Sequence, residues 1–123
     1  MIISSPAKQL NSKLSSQEQE ARQNGYLFAQ LVRLYHTFDG RPGNEYSKLQ
    51  DAIACVLDKI DQNDHPYAYT NKLVMFIEAR HALRGLYLSP DQNKLLIDLR
   101  ENTKRTNLNY VYLSAIDATS QFK

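Results

Sequence analysis

Leu88-Ser89-Pro90-Asp91-Gln92 is the stretch whose reading decides the fold. Ser89 offers a side-chain oxygen to cap a helix, Pro90 fits the first turn, and Gln92, three residues after the cap, completes a capping box. A helix therefore starts at about residue 90. Upstream, Met75, Phe76, Ala79, Ala82, Leu83 and Leu86 fall on one side of a helix that advances about 100° per residue; downstream, Leu95, Leu96 and Leu99 do the same. Two helices joined by so short a connection run antiparallel and pack together, because neither can bury its apolar face alone.

Working outward, the residues before Asn71 supply partners for this hairpin. Ser15-Ser16-Gln17-Glu18 has the spacing of a second capping box and predicts a helix over about 16–38, with Leu27, Phe28, Leu31, Leu34, Tyr35 and Phe38 inward. Residues 1–14 show no sustained period and read as a frayed lead. Gly25 lies inside the helical pattern, at about 1 kcal/mol against alanine. The loop Asp39-Gly40-Arg41-Pro42-Gly43-Asn44 ends this helix. The most regular stripe follows: Tyr46, Leu49, Ile53, Val56, Leu57 and Ile60, with Lys48, Asp51, Asp58 and Lys59 opposite, predicts a helix over 45–61. Pro66 disfavours helical geometry at His65 and breaks the pattern, so the next helix is predicted over about 68–87. It carries a second apolar strip, Leu73 and Ile77, beside Arg80, His81 and Arg84. Such a helix is either buried on both sides or offers one to an outside partner.

The last predicted helix spans about 90–102, with Ile97 projecting away from the Leu95 and Leu99 side. The tail 103–123 contains Tyr110-Val111-Tyr112-Leu113, a short strand-like segment or a fifth helix; periodicity over four residues does not decide. The reading is thus an all-α, single-domain antiparallel four-helix bundle over 1–123.

Composition agrees with a globular class. The chain has 123 residues, 42% hydrophobic and 23% charged, with four glycines and four prolines, enough for one substantial core. No apolar run approaches the roughly 18 residues of a membrane span. Met1-Ile2-Ile3-Ser4-Ser5-Pro6 lacks the basic start and apolar centre of a secretory signal, so the expected location is the cytoplasm, with a fraction at the inner face of the membrane. The net charge of +2 is unevenly spread: residues 1–71 hold 7 Lys and Arg against 8 Asp and Glu, residues 72–105 hold 7 against 4, and residues 106–123 one of each. The basic excess lies on the hairpin. It is too sparse for a nucleic-acid binder and suits an acidic partner or an anionic membrane face.

Catalytic chemistry finds little to work with. The single Cys55 excludes an intramolecular disulfide and a multi-cysteine zinc site, and no motif marks a base to activate it. His36, His65 and His81 stand apart, each read as solvated or locally hydrogen-bonded rather than as a ligand. Glu78 and His81 are three apart, but without a second such pair they are neighbours on a helix surface, not a di-iron motif. Asp39-Gly40-Arg41-Pro42-Gly43 lacks the lysine and hydroxyl of a phosphate loop and reads as a turn. The expectation is a non-enzyme with no catalytic residue, cofactor or metal.

The run Ala82-Leu83-Arg84-Gly85-Leu86-Tyr87-Leu88-Ser89-Pro90-Asp91-Gln92-Asn93-Lys94-Leu95-Leu96, joining two of four amphipathic helices, resembles the immunity proteins of pediocin-like bacteriocins, the enterocin A immunity family. The likeness covers about Ala21 to Leu99, in helix order, loop position and this junction; the long N-terminal lead and the tyrosine-rich end depart from it. It implies an antiparallel four-helix bundle that protects its producer from a pore-forming peptide. Protection would come from binding, on the cytosolic side, the bacteriocin held on membrane components of a mannose phosphotransferase system, the C-terminal half setting specificity.

The residues expected to contact a partner are Leu73, Ile77, Arg80, Arg84, Ile97, Arg100, Lys104, Arg105, Tyr110 and Tyr112, with Lys94 adding to the basic face. Exposed aliphatic side chains beside basic ones suit a contact surface; the alternative is that the tail folds back over them. On this view, removing 106–123 abolishes protection and leaves helicity intact. A helical adaptor binding another cytosolic protein through the same surface is the competing reading.

Overall fold

The computed structural model describes residues 5–104 together with Phe122, with side chains from Glu18 onward. Four helices, α1 (Ser5–Thr37), α2 (Asn44–Asp61), α3 (Pro66–Arg84) and α4 (Pro90–Thr103), are the regular elements among the described residues. Neighbours pack in a ring, α1 on α2, α2 on α3, α3 on α4 and α4 on α1. Contacts between opposite ends of successive helices make each pair antiparallel: Gln50 Nε2 at the start of α2 donates to Tyr35 O near the end of α1 at 2.9 Å, and Asn71 Nδ2 at the start of α3 donates to Thr103 Oγ1 at the end of α4 at 3.1 Å. The all-α four-helix bundle expected from the apolar spacing is the observed architecture.

The α3–α4 junction forms as its sequence dictates. Gly85 caps α3 in the left-handed conformation (φ 68°) that residues with a Cβ avoid. Ser89 Oγ then accepts from Gln92 N at 3.2 Å, and Gln92 Oε1 accepts from Ser89 N at 2.8 Å. Gln92 does more than a capping box requires. Its Nε2 also donates to Thr37 Oγ1 at 3.0 Å, pinning the start of α4 to the end of α1 with the side chain fully buried. Removing it takes the acceptor from Ser89 N and severs the tie to Thr37, whereas removing Ser89 loses only the cap. Ser89→Ala is therefore expected to lower stability by about 1 kcal/mol and Gln92→Ala by about twice that. Urea unfolding of the two variants checks the order.

Three boundaries differ from the sequence reading. The lead is helical from Ser5, so α1 is 33 residues long and the Ser15 box lies in its interior. Ala7, Lys8, Gln9, Leu10, Lys13 and Leu14 are strong helix formers with no Gly or Pro among them, and a capping box starts a helix only where the preceding chain cannot continue it. Asn63 Nδ2, in the α2–α3 corner, donates to Glu20 Oε1 at 3.1 Å, so the earlier turns of α1 continue past that corner. At the corner itself, Pro66 bars right-handed geometry at His65, which takes φ 46° and ψ 52°; Pro66 then serves as the first residue of α3 instead of a gap before it. Finally, α3 stops at Arg84, before Leu86 and Tyr87.

The core is built from Leu27, Leu31, Leu34 and Phe38 of α1, Leu49, Ile53, Val56 and Ile60 of α2, Leu73, Val74, Phe76 and Ile77 of α3, and Leu95, Leu96 and Leu99 of α4. On α1, α2 and α4 this is close to the expected stripe, except that Phe28 is 38% exposed. On α3 the expected assignment changes: Phe76 is core as expected, but Leu73 and Ile77 join it. Asn71 and Glu78 contact α4, while Tyr69 and Arg80 contact α2. Between these two contacts, the fully buried Leu73, Val74 and Ile77 mark the inward side, and Lys72, Ala79 and Leu83 lie about opposite at 100° per residue. The strip read as the second one is the core, and Leu83, read as core, is 75% exposed.

Candidate functional site

The ten residues expected to form a contact surface part ways in the structure. Leu73 and Ile77 are fully buried between the helices and offer nothing to a partner. Arg80 is buried too: its guanidinium pairs with Glu45 of α2 and lies 4.9 Å from the Phe76 ring centroid. It ties α3 to α2 and is not part of a basic face. Arg100 pairs with Glu78 across α3 and α4, and Lys104 Nζ lies 3.0 Å from Glu101 Oε1. Both are half exposed, but each carries its own counter-charge, which the one-dimensional count of lysines and arginines had not revealed. Arg84 and Ile97 do lie at the surface, Ile97 with 51% exposure. Arg105, Tyr110 and Tyr112 lie outside the described residues.

What α3 offers on its outer side is explained by Phe122. Its ring meets Phe76 edge to face at 5.3 Å, and Lys72 Nζ stands 5.9 Å from its centroid. Phe122 is 1% exposed and belongs to the main core. The helix is apolar on two sides because one faces the bundle and the other receives Phe122. Lys72 is itself fully buried there, and burial pulls its ammonium below the ordinary lysine range. An isolated phenylalanine among the polar neighbours Ser120, Gln121 and Lys123 was the signal for this contact, since large apolar rings are mostly buried.

Sequence reasoning missed a second set of surface residues, at the end of the bundle where the α1–α2 and α3–α4 connections meet. Leu83 is 75% and Tyr87 58% exposed. The Arg41 guanidinium sits between two tyrosine rings, 5.5 Å from the Tyr46 centroid and 5.9 Å from that of Tyr87, and Tyr46 Oη donates to Tyr87 O at 3.4 Å. Two acidic groups of this end have partners, and a third, Asp91 in the first turn of α4, is exposed. Glu45 holds Arg80, and Asp39 lies 2.7 Å from His36 Nδ1 and accepts from Gln50 Nε2 at 2.8 Å. Those two hydrogen bonds hold the Asp39 carboxyl below its usual range.

Open depressions also lie among the described residues. One, of about 680 Å³ between α1 and α4, sets Arg33, His36 and Lys94 against Asp91 and Asp98, a mixture that favours neither anion nor cation. Another, about 210 Å³ at the opposite end, is lined by Arg22, Tyr26 and Tyr67. Burial there, reinforced by Glu20, raises the Tyr67 phenol above its usual range. Among the described residues, no three His, Cys, Asp or Glu side chains converge as metal ligands. Each histidine has a close local contact: His36 with Asp39, His65 Nδ1 with Asp64 at 2.8 Å and His81 Nδ1 with Leu86 O at 2.6 Å. Among the described residues no helix is long and apolar enough to cross a membrane.

The class these observations define is an all-α four-helix bundle. In comparison with known proteins, no family model, curated protein or solved structure matches the chain.

Proposed function

We propose that the chain is a non-catalytic immunity protein for a pediocin-like bacteriocin, engaging the peptide and its membrane receptor from the cytosolic side. The observation that carries the reading is the α3–α4 hairpin. Its Gly85 stop, Ser89 capping box and Pro90 start stand where the resemblance to the enterocin A immunity family is most detailed. The bundle is of the kind that resemblance implies, and it gains support from a surface of exposed apolar and basic side chains next to that hairpin. The contact set is narrower than composition suggested: Arg84, Lys94 and Ile97 on the hairpin, joined by Leu83 and Tyr87 at its turn. Discrimination among bacteriocins would then come from the shape of this short turn and not from a broad field of charge.

Expression in a strain sensitive to pediocin-like peptides, followed by challenge with a panel of them, tests the proposal. Survival against at least one peptide, with the empty vector killed, is the expected outcome; uniform killing across the panel overturns it. A gene for a short secreted peptide with a double-glycine leader beside this one would point the same way.

A further inference from the structure

We infer that the bundle docks end-on against an anionic lipid surface, through the end that carries Leu83, Tyr87 and Arg41. The inference deepens the immunity reading by naming how the protein would approach a membrane-held target, and it rests on that reading only for its biological setting.

The observations concern exposure, chemistry and charge together. Leu83 sits in the last turn of α3 and Tyr87 just past the Gly85 stop, and both are exposed. Exposed apolar side chains enter the boundary of a fluid bilayer without needing a shaped cavity. Tyrosine suits that boundary, its ring meeting acyl chain and its hydroxyl meeting water.

The cations nearest the exposed rings are arginines. Arg41 is held between Tyr46 and Tyr87, and Arg84 precedes the helix stop. Of the carboxylates at this end, Glu45 is paired with Arg80, Asp39 lies against His36 and Gln50, and Asp91 lines the α1–α4 depression with Arg33 and Lys94. A cation stacked beside an exposed aromatic side chain is placed to meet a phosphate as the ring enters the interface. The side of the hairpin lacks this combination. There Ile97 stands near Arg100 and Lys104, whose charges are balanced by Glu78 and Glu101.

The chain contains no tryptophan, so a single introduced indole reports its own surroundings. Leu83→Trp and Ile97→Trp, made in the full chain, are mixed with vesicles of phosphatidylglycerol and phosphatidylcholine, and with vesicles of phosphatidylcholine alone. End-on docking predicts a blue shift for Leu83→Trp on the anionic vesicles only, weakened by added salt, with Ile97→Trp unchanged. Co-sedimentation of the Leu83→Ala/Tyr87→Ala and Arg41→Glu variants should each show about tenfold weaker partitioning, with circular dichroism confirming their helicity. A shift for Ile97→Trp in place of Leu83→Trp overturns the proposal in favour of docking by the side. No shift in either, or equal shifts on neutral vesicles, overturns it as well, leaving the exposed end to an acidic protein. Because no bacteriocin enters the assay, failure here is separable from failure of the immunity reading, which the survival experiment decides.

Discussion

Phe122→Ala is expected to lower the free energy of unfolding by about 3–5 kcal/mol, a loss that would bring a bundle of this size close to the limit of folding. The ring is 1% exposed and packs edge to face on Phe76, inside the same core that joins all four helices. Truncating it removes apolar contact and also opens the outer side of α3, where Lys72 and Phe76 are fully buried. The sequence had suggested that residues 106–123 could be removed without disturbing the helices. That expectation is reversed, since the cut takes Phe122 with it. Urea unfolding followed by circular dichroism gives the measurement. A change of under about 1 kcal/mol, the range of ordinary surface substitutions, would show that this ring is not part of the core.

The second large effect is expected at Arg80. Its charge reversal, Arg80→Glu, sets two carboxylates against each other in a site where only 6% of the arginine side chain reaches solvent. Breaking a buried pair and leaving an uncompensated charge typically costs about 3–5 kcal/mol. The reversed pair, Glu45→Arg with Arg80→Glu, should regain part of the loss. Arg80→Met should lose less than Arg80→Glu, because it keeps an apolar stem against Phe76 without burying a charge. Thermal melts of the four proteins decide the matter: an Arg80→Glu protein that melts with the parent would place Arg80 at the surface after all. A binding defect in that variant would therefore report unfolding, and Arg84 and Lys94 are the positions at which charge reversal tests contact.

The same two residues show how far the sequence could be read. The strip of α2, the cap of α4 and the turn between α1 and α2 were legible because each rests on neighbours in the chain: apolar side chains every three or four residues, an oxygen three residues before an amide, glycine and proline in a loop. The helix α3 was not, because its apolar residues surround it, and a pattern with no polar side names no inward direction. Leu73 and Ile77 were placed outside and Leu83 inside, and the structure exchanges them. Arg80, Arg100 and Lys104 look alike in a count of charges, yet one is buried against Glu45 and the others stand beside Glu78 and Glu101. The pairings of Arg80 and Arg100 join residues on different helices, at distances along the chain that no periodicity reports.

The sequence by itself determined that the chain makes helices, where three of the connections fall, and that these helices associate as an antiparallel bundle, since local hydrogen bonding and one-sided hydrophobicity are properties of contiguous residues. Only the tertiary structure decided which side of α3 turns inward, that Phe122 closes its other side, and that Leu83, Tyr87 and Arg41 come together at one end. Those outcomes depend on residues up to 50 positions apart competing for the same space and the same counter-charges, a contest that burial settles and spacing along the chain does not.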